Sequence, residues 1–401
     1  MTTSADLAAF DGAGDARADT DPVGGADLLY GEVENDLRSA VRDLLRDRIH
    51  PGAQIRALDS VSPYDEALWS ELASGLGLAG LLVPERWGGA GGSAREAAVV
   101  LEELGRSVAA VPFLTSAVVS TAALLAVERG GTDSPVEETL RKLAAGDLVV
   151  VLAVPLTAAP GASWPTSVAL EGDTLRGMVT GVADGELADV AIVPAVRSGI
   201  PVLTLARRPG AEALPRASLD QTRRLSDLSL DGARVTVIAE AGSATAAVDE
   251  ALLTGAGLLA SEQLGVAEWC LDETVAYVQV RRQFGRPIGS FQALKHRLAD
   301  VWLEVTSLRA VARYAADRLA GPGLEPDAET TLAVTVAQAY ASGVAVHAAE
   351  EAVQLHGGIG MTWEHPVHLR LKRAKADQLA FGTAGRHRSR LAGLVDLPPP
   401  T

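Results

Sequence analysis

The chain has 401 residues, 48% hydrophobic and only 4% aromatic, with a formal net charge of −16. That length supports a large core in two or three layers, and the acidic balance disfavours polyanion binding, which relies on clustered Lys and Arg. The single cysteine, Cys270, excludes an internal disulfide; it lies in an apolar helical stretch and reads as a small core residue rather than a nucleophile.

Residues 1–30 are rich in Asp, Gly, Ala and Thr without periodicity and read as a mobile tail. They lack a basic n-region followed by a long apolar run, so no secretory signal is visible. Residues 31–146 read as an N-terminal helical domain. Leu37, Val41, Leu44 and Leu45 recur at three- and four-residue spacing. Further helices are expected at 66–76, 94–104 and 115–128, with a break at 77–92 around Pro84-Glu85-Arg86-Trp87-Gly88-Gly89.

The character changes at Asp147. Short β-branched segments at 148–154, 167–170, 174–179, 190–196, 201–206 and 230–237 are separated by turn signals such as Glu171-Gly172-Asp173. Residues 147–240 therefore read as a small β-barrel-like domain. The longest apolar run, 148–156, contains Pro155 and is too short to span a bilayer. From 241 to 401 the chain is helical again. Long apolar faces at 246–282, with a potential break at Gly255-Ala256-Gly257, 291–319 and 327–356 suit a four-helix bundle. The fold class is mostly α with a central β domain, in a cytoplasmic protein with no membrane span and no nucleic-acid partner.

Two segments carry chemistry. In Arg281-Arg282-Gln283-Phe284-Gly285-Arg286-Pro287, the glycine and proline force a turn after a long helix. The arginines offer bidentate donors suited to a pyrophosphate, and Phe284 offers a ring to an adenine. Basic residues at a helix end also simply favour the negative end of the dipole. In Gln354-Leu355-His356-Gly357-Gly358, paired glycines either let backbone approach a ligand or cap a helix. His356 reads as a packed or capping residue. The late basic clusters, 370–375 and 386–390, read as solvated or interface helix faces, with phosphate contacts as the alternative.

These two segments, with Asp377-Gln378-Leu379-Ala380-Phe381-Gly382-Thr383, resemble the C-terminal half of acyl-CoA dehydrogenases. Trp69-Ser70-Glu71-Leu72, Gly77 to Glu85 and Leu101-Glu102-Glu103-Leu104-Gly105-Arg106 resemble the early helices of the same family. The resemblance implies FAD. It implies that Arg281, Gln283 and Phe284 touch the adenosine diphosphate half of FAD held by a neighbouring subunit, with Ile288 and Gln292 nearby. Gln354, Leu355 and Gly358 would face the cofactor from the other subunit. Thr383 and Gly385 would cover the phosphates of the chain's own flavin. It further implies an acyl-CoA or acyl-carrier thioester substrate, an electron-transferring flavoprotein as acceptor, and a homo- or hetero-oligomer (dimer or tetramer) built through the C-terminal helices.

The family removes an α-proton with a carboxylate while the β-hydride leaves for the flavin. The residue before the Gly-Thr pair is commonly that glutamate; here it is Phe381, and a phenyl ring cannot accept a proton. Its backbone N–H, which helps hold the thioester oxygen in the family, survives the replacement. Other members carry the glutamate on the long helix, at the position matching Gly255. Glu262, two turns later, is the remaining candidate: a base with a raised pKa in its apolar stretch, or a structural glutamate. The family's Thr-Glu-Pro and Gly-x-Lys-x-Trp-Ile stretches are replaced by Ala153-Val154-Pro155 and Gly177 to Val182. Three readings stand: a dehydrogenase with a displaced base, a base-less subunit of a mixed assembly, or a repurposed flavoprotein.

Overall fold

The computed structural model describes residues 28–57, 65–129, 135–207, 212–321 and 326–397; nearly all of the expected tail lies outside them. Helices α1 (Glu32–Arg48), α2 (Pro51–Ala57) and α3 (Glu66–Ser70) come first, α3 continuing into a π-helical turn at Glu71–Gly75. Then follow α4 (Ala94–Ser107), a π segment at Phe113–Ser120, α5 (Thr121–Arg129) and α6 (Pro135–Ala144). α4 begins with a reciprocal cap: Ser93 Oγ accepts from the Arg95 N–H while Glu96 accepts from the Ser93 N–H. The short helices α2 and α6 are additions to the sequence reading.

Among the described residues, eight strands form one mixed sheet: β1 (Val150–Leu152), β2 (Val168–Glu171), β3 (Thr174–Ala183), β4 (Val190–Arg197), β5 (Ile200–Arg207), β6 (Glu212–Arg216), β7 (Leu225–Ser229) and β8 (Val235–Glu240). Their order is β6-β7-β3-β2-β4-β5-β8, with β1 parallel to β4. β4 is buried along its first six residues, as its unbroken apolar run requires. β6 is an exposed edge, where Pro215 is tolerated. The strand expected at 230–237 is divided. Asp231-Gly232 makes a turn, with Gly232 at φ +81°; Arg234 forms an isolated bridge to Thr174 and β8 begins at Val235.

The C-terminal part is helical: α7 (Ala241–Val280), a two-residue hairpin of β9 (Arg282–Gln283) and β10 (Arg286–Pro287), α8 (Gln292–Leu319), α9 (Ala328–His356), α10 (Val367–Asp377) and α11 (Ala384–Leu394). α7 packs against α4, α8, α9 and α10 and is buried on nearly all sides through its middle. The break expected at Gly255-Ala256-Gly257 does not occur. Those glycines serve packing instead: a Cβ on Gly257 would lie 2.6 Å from a Leu319 methyl. The α4–α7 crossing shows the same device, since a Cβ on Gly265 would strike the Glu102 carbonyl at 1.9 Å and one on Gly105 the Glu262 carbonyl at 2.1 Å. The stretch Ala328–Met361 is long and apolar enough to cross a bilayer, but 72% of its most apolar window is buried inside the fold, as in the core helix of a soluble protein.

Candidate functional site

The end of α7 delivers the first motif. Arg281 leaves the helix in extended conformation, and the hairpin turns at Phe284 and Gly285, both in the left-handed region at φ +50° and +74°. Positive φ at both central residues is the type I′ geometry that suits a two-residue hairpin. It holds Phe284 outward at 89% exposure. Opposite it, α9 ends at Gly357, whose φ of +64° with ψ −137° is open to glycine and strained for other residues. The two motifs line one pocket of about 490 Å³, which brings together Arg281, Gln283, Phe284 and Ile288 with Gln354, Leu355 and Gly358. Among the described residues, the Arg281 guanidinium has no carboxylate partner. An open, cationic pocket with an exposed ring fits the adenosine diphosphate half of a dinucleotide.

Gln292 is the first residue of α8 and is not part of this pocket's lining. Thr383 and Gly385 lie elsewhere, at the start of α11, where Thr383 caps the helix by accepting from the Arg386 N–H. His356 is 3% exposed, with Nδ1 against the Ala352 carbonyl at 2.7 Å. Cys270 is fully buried, and burial pushes its thiol up to about 12.

Position 381 is sealed. Phe381 is 4% exposed, with φ +51°. A Cβ on Gly255 would lie 3.0 Å from its ring. The two positions at which the resemblance places the family base are therefore neighbours in space, and the Phe381 ring fills the gap between them. The Phe381 N–H, expected to be free for a thioester oxygen, donates to the Leu156 carbonyl at 2.8 Å. Leu156 in turn donates its N–H to the Gly181 carbonyl at 2.9 Å. The two segments expected to depart from the family pattern, the loop around Pro155 and β3 around Gly181, are thus linked to Phe381 through Leu156.

Glu262 is not poised as a base. It is 1% exposed. Both its oxygens accept from Arg223 Nη2, at 2.8 and 2.6 Å, and Arg373 Nη1 donates to Oε1. Burial opposes its charge, but the two guanidiniums outweigh it and hold its carboxyl below the usual range. The raised pKa expected from its apolar neighbours in sequence is thus overturned by cations from β7's approach and from α10. Arg373 also reaches Asp220 at 2.6 Å, and Arg223 reaches Asp377 at 2.7 Å. Burial, and then the Glu262 charge, push Asp377 up to about 8. With that proton kept, the two guanidiniums face the carboxylate charges of Glu262 and Asp220, and buried Asp184, its carboxyl pushed up to about 6 by burial, adds its field to both arginines.

Arg370 and Arg373 are 5% and 1% exposed, so these members of the late basic cluster are interior groups and not a solvated face. Arg223, Asp220 and Asp377 were not singled out by sequence. Only the alternation of charge with apolar residues around them offered a signal.

A helical N-terminal part, a mixed sheet and a bundle of long helices around an arginine-lined pocket define the scaffold of a flavin-dependent acyl-thioester dehydrogenase. Comparison agrees along the chain. Family models described as acyl-CoA dehydrogenase N-terminal and C-terminal domains match residues 31–147 and 242–394. The acyl-CoA dehydrogenase IpdE2 of Mycolicibacterium smegmatis is 36% identical over 90% of this chain and 97% of its own length. The structure of the ChsE4-ChsE5 complex of Mycobacterium tuberculosis superposes with TM-score 0.80 at 28% identity, covering 93% of this chain and all of the other. A single-residue variant of the Tcur3481-Tcur3483 steroid dehydrogenase does so with TM-score 0.78 at 29% identity, covering 91% and 98%. The chain belongs to the acyl-CoA dehydrogenase family, FAD-dependent oxidoreductases that act on the CH–CH bond of acyl thioesters.

Proposed function

We propose that this chain is the base-less subunit of a heteromeric acyl-CoA dehydrogenase. It completes an FAD site through its open pocket, while a partner chain brings the carboxylate that takes the α-proton. The observation that carries this is the closure at Phe381: no base at either family position, and the backbone donor already engaged with Leu156. Glu262, held between Arg223 and Arg373, argues against a displaced base in this chain. The likeness to two structures named as pairs of chains supports the same reading.

FAD, when bound, supplies the acceptor for the hydride of the acyl β-carbon. The residues of this chain bind and orient it. Arg281 sets a cation against the pyrophosphate, Phe284 presents a ring to the adenine, and Gln354 to Gly358 offer backbone close to the ligand. Thr383, at the N-terminus of α11, offers a second phosphate-facing position. Phe381 keeps acyl groups and water out of this chain's own interior. The substrate is an acyl-CoA or acyl-carrier thioester, and an electron-transferring flavoprotein is the acceptor in this reading.

The test is the visible spectrum of the chain purified alone, then of the chain co-expressed with glutamate-bearing family members from the same genome, each challenged anaerobically with a panel of acyl-CoAs. The expected result is no bleaching alone and bleaching with one partner. A yellow chain that bleaches unaided would overturn the proposal.

A further inference from the structure

Beneath the turn that ends α9, three metal-ligating side chains converge that the dehydrogenase reading does not use. Glu273 comes from α7, His356 from the end of α9, and His365 from the loop leading to α10; their ligand atoms all lie within 4.8 Å of one another. His356 is held for ligation. Its Nδ1–H donates to the Ala352 carbonyl at 2.7 Å, which leaves the lone pair on Nε2. That Nε2 is buried and has no hydrogen-bond partner. Tyr277, one turn beyond Glu273 on the same helix, stacks on the imidazole at 4.4 Å and fixes its plane. The His365 ring lies 4.4 Å from that of His356, and its Nε2 is 3.9 Å from Glu273 Oε1.

The geometry points to a His₂Glu site for a divalent transition ion of the Zn²⁺ type, clamping the loop between α9 and α10 to α7. Two imidazoles and one carboxylate favour Zn²⁺ over Mg²⁺ or Ca²⁺, and leave a fourth position for water. The Glu273 side chain is 43% exposed, so an ion can enter from solvent. Two features oppose binding and set its strength. His365 Nδ1 accepts a long hydrogen bond, 3.3 Å, from the Val367 N–H, which is given up when Nε2 takes the metal. The Arg370 guanidinium, packed on Trp269 at 3.8 Å, adds a positive charge nearby. An orphaned imidazole nitrogen and a carboxylate facing one gap outweigh a weak bond and an offset cation.

The experiment strips the full chain with EDTA and titrates it with Zn²⁺ by calorimetry at neutral pH. One equivalent is expected to bind more tightly than about 100 µM. His365→Ala and Glu273→Gln should each weaken binding at least about tenfold, with the thermal midpoint in EDTA within about 2 °C of the parent. Co²⁺ in place of Zn²⁺ should give visible d–d bands that His365→Ala abolishes, a signature that a merely packed histidine pair would not produce. Mild acid should weaken binding, because the rings must be unprotonated to ligate. Absence of saturable binding below about 100 µM, or binding unchanged in both variants, would overturn the site. Flavin absorbance read on the same samples keeps this outcome separate from that of the flavin pocket.

Discussion

The same helix, α7, serves two regions of opposite character. At its end, Arg281 and the 89%-exposed Phe284 face outward into an open pocket. In its middle, Gly255 lies under Phe381, which is 4% exposed, and the neighbouring backbone donor is tied to Leu156. The outward region gathers an arginine and an exposed ring around an open pocket; the inward one is packed as core. A carboxylate in the inward region must be kept solvated or paired, whereas a phenyl ring there is stabilised by burial. On the proposed function, a phenyl ring at position 381 therefore costs the fold nothing, while losing Arg281 would weaken cofactor binding. A chain that works beside a partner can shed chemistry and keep recognition.

The largest way to break this contrast is from below, through the charged cluster around Glu262 that underlies the sealed region. Arg373→Ala leaves Glu262 and Asp220 facing only Arg223 in a site that is 1% exposed. Removing one partner of a buried network costs about 3–5 kcal/mol. The urea midpoint should fall accordingly. A loss below about 1 kcal/mol would mean that water reaches the cluster.

Next comes the sealed position itself. A Cβ on Gly255 falls 2.8 Å from a Val119 methyl and 3.0 Å from the Phe381 ring. Gly255→Ala should cost about 1–3 kcal/mol by overpacking. Phe381→Leu in the same chain should return part of that, with a coupling of about 0.5–3 kcal/mol in a double-mutant cycle. Simple additivity would show that the two family positions do not share one space in solution.

The open pocket answers to a smaller perturbation. Arg281→Ala should weaken FAD retention by about ten- to a hundredfold, from loss of a charge-assisted contact of about 1.5–3 kcal/mol. The fold should persist, because the side chain has no ion-pair partner among the described residues. Flavin absorbance after gel filtration of the assembled protein, set beside the thermal midpoint, reads both. Unchanged flavin occupancy would move the pyrophosphate away from this arginine.

How far the sequence carried follows from the same contrast. The open pocket was legible because its parts are local: an Arg-rich turn with Gly285 and Pro287, and a glycine pair after a helix. The order helical, β, helical was legible from period. The cluster around Glu262 was not, since Arg223 and Arg373 reach it across 39 and 111 residues of chain. A lone glutamate among Leu and Ala shows its burial in sequence but not its partners, so sequence leaves open a base with a raised pKa or a structural glutamate, and the two arginines favour the second. The basic run at 370–375 misled for a related reason: α10 turns Arg370 and Arg373 inward. Gly255 and Gly257 read as breakers, because a one-dimensional pattern cannot show a second helix pressing against them. The engagement of the Phe381 N–H by Leu156 joins residues from the sheet and the bundle, and nothing local announces it.

The smallest effect, and the sharpest test of the cluster's charge state, concerns Asp377. An unfolded chain releases this proton near the ordinary aspartate value of about 4, whereas the native chain keeps it until about 8, because of burial and then the Glu262 charge. Between those values the native state holds more protons than the unfolded one, so the contribution of this group to stability falls as pH rises. Asp377→Asn carries no proton to lose, and its amide oxygen can still accept from Arg223, which sits 2.7 Å from Asp377 Oδ1. Parent and variant should therefore match within about 1 kcal/mol at the acid end. The variant should pull ahead as pH rises toward about 8, in urea midpoints taken across the range. If the variant is instead the less stable at every pH, Asp377 is ionised in the native state. Asp377 then adds its own negative charge to those of Glu262 and Asp220 around the two arginines.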